Sequence, residues 1–233
     1  MVFQNVRWRK WKRLMVFSLG GQFLFCTMCV TYARYGKDKF FSEHWRYAIP
    51  VTLNQTRSWA FWQNGITPSE RACAEAWLDA MNFKLPSNDK FASKFILQDT
   101  LCLLCNRTEC ANAIAFLQKL LPIQTTSYCM EIRKEKQDSV VFLHLKLETD
   151  FTMKLPFSTV QRRFIFPSIV SLQLENKDSQ TRIAAAEHRW FGGPLVSFQS
   201  TSISSPWGDI GDLWRRFNGF AVSSVMGNGH VPG

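Results

Sequence analysis

Val140–Thr152 reads Val-Val-Phe-Leu-His-Leu-Lys-Leu-Glu-Thr-Asp-Phe-Thr, and its two-residue alternation decides the fold class. In an extended chain Val141, Leu143, Leu145 and Leu147 face one way, and Phe142, His144, Lys146 and Glu148 face the other. That is a strand with one face on a core, the usual pattern of an antiparallel sheet. Thr126–Lys134, Arg163–Leu174 and Arg182–Phe191 share its β-rich composition, with polar breaks at Lys136–Ser139 and Asn176–Gln180.

Upstream the period changes to that of a helix. Thr67-Pro-Ser-Glu70 is a capping box with proline at the first helical position, and it opens a helix running to about Phe83. Cys73, Ala76, Trp77, Ala80 and Met81 form its apolar side. A turn at Pro86-Ser-Asn-Asp89 predicts a short second helix around Phe91–Phe95. Ile96–Cys105 then reads as a connection into a short buried strand. After the loop Asn106-Arg-Thr-Glu109, a third helix is expected over Ala111–Leu121, with Ile114, Leu117, Leu120 and Leu121 inward. Helices first and a meandering, mostly antiparallel sheet afterwards make an α+β domain.

The chain of 233 residues carries a formal charge of +10, which at first suggests nucleic acid. Residues 1–39 hold eight cations against Asp38 alone, leaving only +3 for the remainder. The basicity therefore belongs to the N-terminus and removes nucleic acid as a leading partner. Leu14–Ala33 has no charged residue, and twenty helical residues span a bilayer core of about 30 Å. Arg7, Trp8, Arg9, Lys10, Trp11, Lys12 and Arg13 precede it directly, the residue types that settle at lipid headgroups. The run is longer than the apolar region of a cleaved signal and lacks a small-residue cleavage site. The expectation is a basic tail over 1–13, one transmembrane helix over 14–35, an aromatic linker over 36–66, a domain over 67–222 and a flexible tail over 223–233. The charge asymmetry keeps the N-terminus inside and places the domain across the membrane. An Arg-rich, acid-free start favours the mitochondrial inner membrane; the sequons Asn54-Gln-Thr and Asn106-Arg-Thr keep the endoplasmic reticulum or Golgi open.

Two phrases carry a resemblance. One is Phe91-x3-Phe95-x3-Asp99-x-Leu101 followed by a loop and Cys110–Leu121. The other is Phe166-Pro-Ser-Ile-Val-Ser-Leu-Gln-Leu174, then Arg182–Leu195 with Glu187-His-Arg-Trp190-Phe-Gly-Gly-Pro-Leu195. Together they resemble the nuclear transport factor 2-like (SnoaL-like) superfamily, uncharacterised members in particular. The resemblance implies a cone of three helices on a curved, mostly antiparallel sheet over roughly residues 67–220. It also implies that any enzyme chemistry would rest on an acidic base, or an Asp–His pair, in the apolar mouth of the cone.

Asp99 and His188 are the candidate acid and base, each with a plain structural alternative. An aspartate at such a position often shapes a turn. A strand histidine is more often a hydrogen-bonded wall residue, and nothing in the sequence places a second titratable group beside His188. Glu187 is adjacent to it in the strand and points to the opposite face. Trp77, Phe142, His188 and Trp190 are the expected lining of an apolar ligand or lipid pocket. Trp59, Trp62, Trp214, Arg215, Arg216 and Phe217 are the expected contacts with a protein partner or lipid. Asp209–Phe220 reads as an amphipathic helix that either closes the cone or supplies such a contact.

Cys102, Cys105 and Cys110 are too few for a zinc site, which needs four ligands, and no cofactor motif occurs. A Cys105–Cys110 disulfide is the alternative to buried free thiols. The function expected from these features is a non-catalytic, membrane-anchored accessory or scaffold subunit of a membrane complex. An apolar small-molecule or lipid-binding domain is the alternative, and a SnoaL-like enzyme the third.

Overall fold

The computed structural model describes residues 20–35, 65–84, 89–120, 123–154, 161–177, 180–193, 195 and 207–224. Residues 20–35 form helix α1. After it come α2 (Pro68–Met81), β1 (Phe91–Asp99), β2 (Leu103–Leu104) and α3 (Arg107–Leu120). The strands β3 (Ile123–Gln137), β4 (Val140–Lys154), β5 (Gln161–Lys177) and β6 (Gln180–Trp190) follow, and α4 (Trp207–Ser224) ends the described chain. The fold is α+β, as the alternation predicts.

The capping box forms as expected. Thr67 Oγ1 accepts from the Glu70 amide at 3.3 Å and the Glu70 carboxylate accepts from the Thr67 amide at 2.8 Å. The helix start after Asn106 is built similarly: Asn106 Oδ1 accepts from the Glu109 amide at 2.8 Å. This places α3 four residues earlier than its apolar period suggests, because the cap and not the first apolar residue sets the start.

One expected element is replaced. Phe91–Phe95 is not a helix but the first half of strand β1. Both phenylalanines are buried, and a spacing of four fits a helix face as well as an extended chain. What decides is pairing: β1 lies parallel to β6, with Leu97 opposite Ala186 and Asp99 opposite His188. A register irregularity between Phe91 and Ile96 blurs the alternation that would have marked a strand.

The six strands run in the order β2-β1-β6-β5-β4-β3, antiparallel except for β1 on β6. Residues opposite one another share a face, so the register carries the alternation of β4 across the sheet. Leu143, Leu145 and Leu147 continue into Leu172, Val170 and Ser168 on β5, and Leu172 and Val170 continue into Ala186 and His188 on β6. Helices α2 and α3 cover this face. Cys73, Ala74, Trp77, Leu78, Cys110, Ala113 and Ile114 pack into one core with Phe91, Phe95 and the three β4 leucines.

Helix α1 covers part of the expected membrane segment. Residues 14–19 and the linker at 36–64 lie outside the described residues, as does the tail from 225. No helix among the described residues is long and apolar enough to cross a membrane. Residues 20–35, the described part of the helix expected over 14–35, lie against the domain. Cys29 and Ala33 are buried, Phe25 meets Trp214 of α4 at 5.1 Å between ring centroids, and Gln22 Nε2 donates to Asn218 Oδ1 at 2.5 Å. Gly193 explains how close the helix comes: a Cβ there would collide with the backbone carbonyl of Ala33.

Gly193→Ala should therefore push α1 off the turn and lower stability by about 1–3 kcal/mol, the usual result of overpacking. A thermal unfolding scan together with tryptic cleavage after the exposed Arg34 measures both effects; an unchanged midpoint and cleavage rate would contradict the contact.

Candidate functional site

Asp99 ends β1, and the parallel register sets it directly beside His188 on β6. The two side chains meet, with Asp99 Oδ2 2.7 Å from His188 Nδ1. The same oxygen accepts from the Trp190 indole at 2.9 Å, and Oδ1 accepts from the Leu101 amide at 2.9 Å. The turn role expected of Asp99 is thus real, and it coexists with a role the sequence did not disclose. His188 has a titratable neighbour after all: the end of β1, Phe91–Asp99, brings one in.

More of the chain converges here. The Thr100 hydroxyl accepts from the Trp190 amide at 3.1 Å, and Arg215 of α4 donates to the Asp99 carbonyl at 2.9 Å. Asp99, Thr100, His188 and Arg215 are all buried. A carboxylate accepting three donors is well matched to its negative charge.

The pairing fixes the imidazole. A carboxylate at 2.7 Å requires that Nδ1 carry the proton, which leaves Nε2 of the neutral ring as a bare acceptor. Nε2 is buried and has no hydrogen-bond partner among the described residues. The Trp77 ring stands edge-on to the imidazole at 6.3 Å, and Phe166 does so at 6.5 Å. Two other buried polar atoms on this side of the sheet are also without a partner among the described residues, Trp77 Nε1 and Ser168 Oγ. Ser168 lies opposite Trp190 and shares its face with His188. Buried polar atoms are nearly always paired, so three orphans on one interior form a polar locus within apolar walls.

Of the expected pocket lining, Trp77, His188 and Trp190 come together. Phe142 does not. It lies on the opposite face of the sheet, stacked on His144 at 6.3 Å, as the alternation of its own strand requires. His144 is engaged there, 2.9 Å from Ser171 Oγ and 3.1 Å from Glu135. Phe166 and Ser168, part of a phrase that carries the resemblance, were not read as lining, although their parity with Val170 in β5 assigns them to the inner face.

The expected contact residues divide. Trp59 and Trp62 lie outside the described residues. Arg215 is no surface contact: it is fully buried, paired with Asp212 and the Asp99 carbonyl. Arg216 is also used within the fold, clamping Glu109 of α3 at 2.6 and 2.8 Å. Trp214 packs on Phe25, while Phe217 is exposed.

The cysteines are free, Cys105 and Cys110 included. Burial pushes the Cys102 thiol up, and those of Cys110 and Cys129 to about 12, so they stay protonated and unreactive at neutral pH. No group of three or more His, Cys, Asp or Glu among the described residues is placed to hold a metal.

No protein family and no curated protein matches the chain. Solved structures do. The chain is similar to nuclear transport factor 2-like proteins. A ketosteroid isomerase-like protein from Erwinia carotovora atroseptica aligns at 14% identity and TM-score 0.43, over 55% of this chain and 98% of its own. A hexachlorocyclohexane dehydrochlorinase from Novosphingobium barchaimii aligns at 6% and 0.46, over 58% and 90%. A nuclear transport factor 2-like protein of unknown function from Prochlorococcus aligns at 12% and 0.42, over 52% and 90%. These likenesses assign no activity to this chain.

Two outcomes follow from the site. Asp99→Asn leaves a donor facing a donor whichever way the amide turns, since three donors surround the carboxylate. Chemical or thermal unfolding should show a loss of about 1–3 kcal/mol; equal stability would mean that the network is not formed. The second concerns Glu187, whose side chain points to the outer face and pairs with Arg189. Burial pushes its carboxyl up to about 7, against a smaller lowering by Arg215. The folded chain then holds the proton more tightly than the unfolded chain, so stability falls as pH rises from about 4.5 to about 7. Unfolding midpoints across that range should show the decline, and Glu187→Gln should flatten it.

Proposed function

We propose that this chain binds a small, largely apolar molecule between α2 and the sheet, and that His188 accepts a hydrogen bond or a proton from it. One observation carries the reading: the imidazole is pinned by Asp99 at Nδ1 while Nε2, buried among Trp77 and Phe166, has no partner among the described residues. A purely structural histidine gains by satisfying both nitrogens. An imidazole oriented at one nitrogen and open at the other is the arrangement that accepts a proton, the carboxylate stabilising the imidazolium that forms. The ligand chemistry that fits is an aromatic or alicyclic body carrying a hydroxyl or an acidic C–H toward Nε2. An oxygen acceptor on the same molecule would satisfy the Trp77 indole.

Organic extraction of the purified full-length protein followed by mass spectrometry tests this. A compound that accompanies the wild type and is lost from both His188→Leu and Trp77→Ala supports the reading. If nothing accompanies the wild type and His188→Leu unfolds at a higher temperature, His188 is a buried wall residue and the proposal fails.

A second reading is favoured by the integration of α1 into the domain. The chain is then a membrane-attached accessory or scaffold subunit, with the mitochondrial inner membrane preferred from its acid-free, Arg-rich start. Gln22–Asn218 and Ala33–Gly193 join the membrane-seeking segment to the fold, so the domain is held close to the bilayer rather than on a long tether. Gentle detergent extraction from cells should recover it within a larger assembly; migration as a lone monomer would contradict this.

A further inference from the structure

Helix α1 has two unlike sides. Cys29 and Ala33 are buried, and Gln22 and Phe25 engage α4. Away from these contacts, Phe23 is 76% exposed, Leu24 71% and Tyr35 68%, and Met28 is exposed as well. Helix α4 repeats the arrangement. Its buried side carries Arg215, Asn218 and Ser223, while Ile210, Leu213, Phe217 and Phe220 stand exposed, Leu213 at 76%. Those four recur at intervals of three and four, a single stripe along the helix. The helices touch through Phe25 and Trp214.

Eight large exposed apolar side chains on two touching helices exceed the scattered surface hydrophobes of an ordinary domain. Their occupant is indicated by what lies beside them in the chain. Arg7, Arg9, Lys10, Lys12 and Arg13, interleaved with Trp8 and Trp11, come shortly before α1, and no acidic residue precedes Asp38. Arg34, exposed, is placed toward the end of α1, over the Tyr35 ring at 5.4 Å. Apolar stripes bordered by cations and indoles complement anionic lipid, and a helix lying in the interface buries one face while keeping the other for protein. A spanning α1 surrounded by lipid could not retain Asn218, Trp214 and the Gly192-Gly193 turn on its inner side.

We propose that α1 and α4 together form a monotopic seat, lying in the plane of an anionic bilayer with Phe23, Leu24, Met28, Leu213 and Phe217 in the acyl boundary. The proposal rests on the membrane attachment above and replaces a single spanning helix by a two-helix surface. It does not depend on a ligand at His188.

The test uses the full chain, purified in detergent and diluted into preformed vesicles of phosphatidylcholine alone or with phosphatidylglycerol, followed by flotation. The wild type should float with the anionic vesicles and lose binding in high salt as the cationic contribution is screened. Leu213→Glu combined with Phe217→Glu, both at exposed positions, should keep the circular dichroism spectrum and reduce vesicle binding by about tenfold or more. Undiminished, salt-resistant binding by that variant would mean that α1 holds the protein alone, by spanning, and would overturn the two-helix seat while leaving membrane attachment intact. No flotation of the wild type with either vesicle would overturn both, and assign the stripes to a protein partner.

Discussion

The Asp99 carboxylate is the constraint on which the rest of the structure depends. It sits where the only parallel pair among the described residues, β1 on β6, comes to its end, and it holds that pair by side chains as well as by backbone. Its two oxygens gather a backbone amide, an indole and an imidazole, and its carbonyl gathers the buried Arg215 of α4. Through Arg215 and Asn218, which donates to the Leu101 carbonyl at 2.8 Å, the fourth helix is tied to the turn after β1. Asn218 then accepts from Gln22 and so brings in the first helix. A single chain of polar contacts therefore runs from the core histidine to the surface that carries the exposed apolar stripes. Buried networks of this kind rigidify when complete and are costly when one member is lost.

The same network separates two jobs within one small domain. On its inner side the Asp99–His188 pair orients an imidazole toward apolar walls, which is where small-molecule chemistry would take place. On its outer side it anchors α4, whose exposed stripe faces away from the core. The two sides share a carboxylate but not a surface. A ligand inside and a bilayer outside would thus bear on the same hydrogen bonds from opposite directions.

What was legible in the sequence was whatever depends on neighbours along the chain. The alternation of Val141–Glu148 predicts β4 and its two faces, and it already contradicts the assignment of Phe142 to the pocket. Thr67 and Glu70 predict their own capping box. What was not legible depends on pairing at a distance. Trp190 and Asp99 stand 91 positions apart, and only the parallel register of β1 on β6 makes them neighbours. The irregularity near Phe91 hid the first half of that strand behind a helical spacing, and with it the pairing that sets Asp99 beside His188. The hydrophobicity of α1 reads as a lipid-seeking segment, and composition alone does not disclose the neighbour that one side of it packs on. Gly193, which has room for no side chain against Ala33, was the visible hint of the neighbour.

The tautomer of His188 tests the account most directly, since the pinned Nδ1 and the bare Nε2 follow from Asp99 alone. Long-range nitrogen–proton correlation on histidine-labelled full-length protein at neutral pH should show the proton on Nδ1, and Asp99→Asn should abolish that preference. A proton on Nε2 in the wild type, or a tautomer indifferent to Asp99, would contradict it.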